Sequence, residues 1–156
     1  MSKGSRRSGR ELALKIIYSF PDQGVVIEQI LDDFWRNFRF QDDVLGEALD
    51  EHKGPVPPDV REFTEDLVRG VYQRRPQIDE IIQESSTNWS LERMSRVDRA
   101  LLRLAAFELL ARPETPSSVV INEAIEIGKR FGTRETPAFI NGILDKISHQ
   151  HRKPEP

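Results

Sequence analysis

The sequence predicts an all-α fold of about seven helices packed as small bundles. Three observations carry that expectation. Apolar residues recur at three- and four-residue intervals in one segment after another. Residues that start and stop helices flank those segments, and no stretch reads convincingly as a strand.

Taken in order, residues 11–20 place Leu12, Ile16 and Phe20 on one stripe, with Ala13, Leu14 and Ile17 widening it. Ser8 and Glu11 have capping-box spacing, so this first helix is expected to start at Ser8. Pro21 and Gly24 separate it from a second helix over 25–40, apolar at Ile27, Ile30, Leu31, Phe34, Trp35 and Phe38. Residues 41–58 are acidic, aperiodic and proline-terminated, and read as a long loop. A third helix follows from Asp59 through Val60, Phe63, Leu67 and Val71 and is expected to close at Pro76. A short fourth helix covers 78–85.

Ser95 and Asp98 form a start signal for a fifth helix, apolar on nearly all sides through residue 111 and therefore expected to be buried and central. Pro113 and Pro116 then punctuate the chain. Ser117 or Ser118 can cap a sixth helix that stops at Gly132. The last helix begins near Glu135 with Pro137 in its first turn and gives way to a polar tail over 150–156.

With 156 residues the chain suits one compact domain or two subdomains, divided here at about 11–75 and 76–149. It contains no cysteine, which excludes disulfides, thiolate metal sites and cysteine nucleophiles and suits a reducing cytoplasm. Charge interrupts every apolar run well short of the ~20 residues a membrane helix needs. Lys15 breaks the apolar stretch behind the basic start, and no cleavage pattern follows, so export is not expected.

Enzyme chemistry has no candidate constellation. His149 and His151 lie two residues apart and would point to different sides of a helix, while His52 stands alone in the acidic loop. Neither a phosphate-binding glycine loop nor a nucleophile elbow occurs. No metal or cofactor is expected, and a binding function remains.

Charge segregation points to the ligand. Residues 1–10 carry +4 and the rest −7, giving −3 overall. Lys3, Arg6, Arg7 and Arg10 thus form a basic arm at the start of the first helix, where the macrodipole disfavours cations by about 0.3–1 kcal/mol each. A phosphate backbone would supply the missing negative charge. About four phosphates of a single strand give a log K against log salt slope near −3, which is affinity without sequence choice. Specificity then requires bases stacked on aromatic or guanidinium faces, for which Tyr18 is a candidate.

Three segments, "RRSGRELALKIIYSF", "RVDRALLRLAAFELL" and above all "VVINEAIEIGKRFGTRETPAFINGILDKI", resemble the NusB family of bacterial transcription antitermination factors. The resemblance implies two three-helix bundles packed together with an extra helix. It also implies binding of boxA-type single-stranded RNA together with NusE, the small-subunit ribosomal protein, on elongating RNA polymerase, without catalysis. It places Arg6, Arg7 and Arg10 at RNA, with Lys3 beside them, and extends that role to Tyr18, Glu135, Thr136 and Phe139. Phe139 also has core spacing with Ile143 and Ile147. Glu92 and Asp98 match acidic positions that would meet the basic partner, while Asp98 retains its capping role. Asn122, Glu123 and Asn141 read as structural. Two alternatives accompany this reading: a self-associating scaffold, with a homodimer covering the RNA face, and a relative of the N-terminal domain of RNA cytosine methyltransferases. The stop at Pro156 speaks against the second.

Overall fold

The computed structural model describes residues 1–21, 24, 26–37 and 56–152. Among these lie six α-helices and no strand: α1 Lys3–Tyr18, α2 Ile27–Asn37, α3 Pro58–Ser85, α4 Arg96–Ala111, α5 Ser117–Phe131 and α6 Thr136–His151. A single 3₁₀ turn, Leu91–Arg93, precedes α4. The chain divides into two compact units, Met1–Tyr72 and Gln73–Pro156, with the boundary inside α3. The acidic loop expected over 41–58 lies outside the described residues apart from its last three positions.

In the first unit, α1 starts five residues before the expected cap at Ser8. The N-cap is Ser2, whose Oγ accepts from the Ser5 amide at 3.0 Å, and Ser8 is buried well inside the helix. Burial decides the matter: every residue of α1 from Ser8 through Ile17 is buried, so the helix extends to where its backbone reaches solvent. Gly9 lies against α3 so closely that a Cβ there would stand 2.6 Å from Cδ2 of Phe63. Thr64 reinforces the approach by donating to the Gly9 carbonyl at 3.2 Å. Leu12 and Val60 share an apolar cluster with Phe34, Trp35 and Val56. Arg69 ties α3 to α2 with a bidentate pair to Glu28 at 2.7 and 3.0 Å.

Neither the expected helix end at Pro76 nor a separate fourth helix exists; α3 runs through the proline as one helix of 28 residues. Pro76 offers no N–H to the helical ladder. However, Leu67, Val68, Val71, Ile78 and Ile82 are all buried at spacings that continue one stripe across it, and this packing overrides the local preference.

In the second unit α4 is the buried centre, covered from Ala100 to Leu109 except at Arg103. Arg103 makes a bidentate pair with Asp79 of α3 at 2.8 and 2.9 Å. The N-cap of α5 is Pro116 with φ −57°, in place of the serine expected there, and makes no side-chain cap bond. Ser117 instead accepts from Arg152 at 3.2 Å. The tail expected from residue 150 is helical to His151. Arg152 then turns back to donate to the carbonyls of Glu108, Leu109, Arg112 and Thr115 at 2.6–3.0 Å, joining the backbone amides that Glu108 and Arg112 already accept.

Candidate RNA-binding surface

The basic arm is not an arm: Lys3, Arg6, Arg7 and Arg10 all belong to α1. At 3.6 residues per turn these positions fall within about 100° of the helix circumference and span about 10 Å of its length. The helix therefore aligns four cations that an extended arm would scatter. No acidic residue stands in the first turn to balance them.

Burial grades this stripe. Lys3 and Arg6 are exposed, Arg7 is half-buried, and Arg10 is only 4 % exposed. The Arg10 guanidinium lies 5.6 Å from the centre of the Phe63 ring, a cation–π distance. Arg10, which the resemblance places at RNA, is thus packed into the first unit. Tyr18 is half-buried, close in angle to Arg7 and about 12 Å past Arg10 along the axis.

In the second unit, Glu135 is exposed at the N-cap of α6, with no side-chain cap bond. Thr136, which the resemblance places at RNA, is 0 % exposed in this structure. Its Oγ1 donates to Oδ1 of Asp98 at 2.7 Å and accepts from the Thr133 amide at 3.0 Å, so its hydrogen-bonding capacity is spent on linking the start of α6 to the start of α4. Gly132 is required beside it, because a Cβ there would collide with the Thr136 hydroxyl.

Asp98 is half-buried and donates its amide to Ser95 Oγ at 3.1 Å, as the start signal requires, while one carboxylate oxygen is committed to Thr136. Glu92, in the 3₁₀ turn, is exposed. Of Asn122, Glu123 and Asn141, only Glu123 is buried; both asparagines are exposed.

Phe139 is half-buried, and its ring meets that of Trp89 edge to face, with centroids 6.2 Å apart. Trp89 had no place in the sequence reading. The available signal was a lone tryptophan in the polar run "STNWS" between two apolar helices. Among the described residues no group of three or more His, Asp or Glu side chains is arranged to hold a metal ion.

Residues 7–149 match the profile of the NusB family. The chain belongs to the NusB family. A transcription antitermination protein NusB from Syntrophotalea carbinolica is 61 % identical over 97 % of both chains. Another, from Myxococcus xanthus, is 40 % identical over 97 % of this chain and 99 % of its own. Among solved structures, T. maritima NusB superposes with a TM-score of 0.75 at 35 % identity, covering 95 % of this NusB-family chain and 93 % of its own. A structure of the antitermination factors NusB and NusE in complex with dsRNA gives 0.71 at 20 % identity over 96 % and 99 %, a likeness of fold. No helix among the described residues of the NusB-family chain is long and apolar enough to cross a membrane.

Proposed function

We propose that this chain is an RNA-binding transcription antitermination factor. It engages boxA-type single-stranded RNA together with NusE, the small-subunit ribosomal protein, in the antitermination complex on elongating RNA polymerase, and so promotes transcription of ribosomal RNA. The role is one of binding in the cytoplasm, without a catalytic step or a cofactor. The observation that carries it is the cationic stripe of α1, aligned on a helix whose first turn has no acid to oppose an incoming phosphate.

Lys3, Arg6 and Arg7 are assigned to phosphates, with Arg10 holding the stripe in place and Tyr18 offering a ring to a base. In the second unit Glu135, an anion, is assigned to a base edge and Phe139 to stacking. The exposed Glu92, and Asp98 through the oxygen not given to Thr136, are assigned to the basic partner, where charge complementarity raises the rate of encounter.

Fluorescence anisotropy of a short labelled boxA-type RNA against a scrambled one, with and without NusE and at two salt concentrations, tests the proposal. Preference for boxA, tightening by NusE and a log–log salt slope near −2, for about three phosphates met by Lys3, Arg6 and Arg7, are expected. Equal and weak binding of both RNAs, unmoved by NusE, would overturn it. A duplex of the same sequence as competitor separates single-strand from double-strand preference.

A further inference from the structure

Trp89 is the only aromatic residue among those described that is exposed, at 51 %. Its backbone is nonetheless held firmly. The Trp89 carbonyl accepts from Ser86 Oγ at 2.9 Å and from Gln83 Nε2 at 3.2 Å, and the Gln83 amide oxygen accepts from the Leu91 amide at 3.0 Å. One glutamine at the end of α3 thus clamps both sides of the loop that carries the indole.

The side chain is oriented as well, edge to face with Phe139 at an interplanar angle of 82°. Its sequence neighbours Thr87, Asn88 and Ser90 are polar, so it is not the centre of an apolar protein-docking patch. An ordered, half-open ring with hydroxyl and amide groups around it suits a nucleobase, which stacks by its face and hydrogen-bonds by its edge.

We infer that Trp89 is a base-stacking residue for single-stranded RNA, its indole held in place by the edge-to-face contact with Phe139. This rests on the RNA-binding role proposed above. The occupant is one unstacked base, and the contact is sequence-tolerant, because every base has a π-face.

The test uses the chain's two tryptophans. In a Trp35→Phe variant Trp89 is the sole indole, so quenching of its emission by boxA-type RNA reports stacking directly. In parallel, Trp89→Leu should weaken RNA binding in the anisotropy assay about fivefold or more, and Trp89→Phe, which keeps a π-face, should recover most of that loss. RNA binding with unquenched Trp89 and an unchanged Leu variant would overturn this inference and leave the RNA-binding role standing. Absence of RNA binding by the unmodified protein would overturn both. Quenching by NusE but not by RNA would make Trp89 a protein contact and also overturn it.

Discussion

The two central helices, α1 and α4, begin in the same way and are completed differently. Each has a serine N-cap accepting from the amide three residues on, at 3.0 Å in α1 and 3.1 Å in α4. In α4 the first turn carries Asp98, which complements the helix dipole and is anchored by Thr136. Its far end is closed by Arg152 on the carbonyls of Glu108, Leu109 and Arg112. The first turn of α1 carries Lys3 and no acid, and cations continue along one face. A helix finished from within its own unit serves the fold. The first turn of α1 has no acid of its own to do the same.

The largest effect should come from undoing the completion of α4. Arg152→Ala removes a guanidinium from four carbonyls and should cost about 3 kcal/mol, read as a lower urea midpoint with helical content retained at low urea. Thr136→Val keeps the volume but deprives Asp98 of its donor. A loss of about 2 kcal/mol is expected, with RNA affinity unchanged where the protein is folded, and weakened affinity without loss of stability would show that Thr136 faces the ligand after all.

On α1 the consequences should reverse. Arg6→Ala combined with Arg7→Ala should leave helical circular dichroism unchanged while flattening the salt slope by about 1.4 units, because two phosphate contacts disappear. Loss of helicity would mean that these arginines serve folding. Lys3→Glu sharpens the contrast: an acid in the first turn should stabilise the helix by about 0.3–1 kcal/mol and weaken RNA binding in the same variant. A loss on both counts would remove the distinction between the two helix starts.

The smallest effect concerns the surface pair of α2 and α3. The hydrogen bond from Arg69 holds the Glu28 carboxyl below its ordinary value of 4.5. A lowered acid contributes stability above its unfolded pKa and loses it as pH falls through the folded value. Glu28→Gln should therefore be slightly less stable than the parent at pH 7, and the gap should close as the pH falls below the ordinary 4.5 and through the lowered value, in urea titrations. The Glu28 side chain is largely in water, so the gap should be small.

The fold was legible wherever a stripe and a cap agreed. Ser95 with Asp98, the apolar circumference of α4 and the stop at Gly132 all stand in the structure as the sequence implies. The start of α1 was misread because Ser8 and Glu11 have better cap chemistry than Ser2, and only burial of the whole run from Ser8 to Ile17 reveals that they are interior. Pro76 misled in the same way: a local rule was applied where an apolar stripe ran unbroken across it.

The site was less legible than the fold. Residue identity grouped Lys3, Arg6, Arg7 and Arg10 as a basic arm, but their alignment on a helix follows from where α1 starts, and the packing of Arg10 on Phe63 depends on a partner more than fifty positions away. Thr136 was placed at RNA by the resemblance alone, and nothing in its local sequence shows that its hydroxyl turns inward to Asp98. Trp89 had no periodicity to announce it. Its interest lies in being ordered and uncovered together, which only coordinates display.

The closing contact of Arg152 also has a meaning in time. A chain emerging from the ribosome presents α4 some forty residues before the guanidinium that satisfies its last carbonyls. Until then the most deeply buried helix of the unit lacks that guanidinium at its end, and α5 and α6 are not yet there to cover its flanks. The second unit is thus assembled around its middle and locked by its final residues, so that a nascent chain short of residue 152 resembles the finished unit in helices but not in closure.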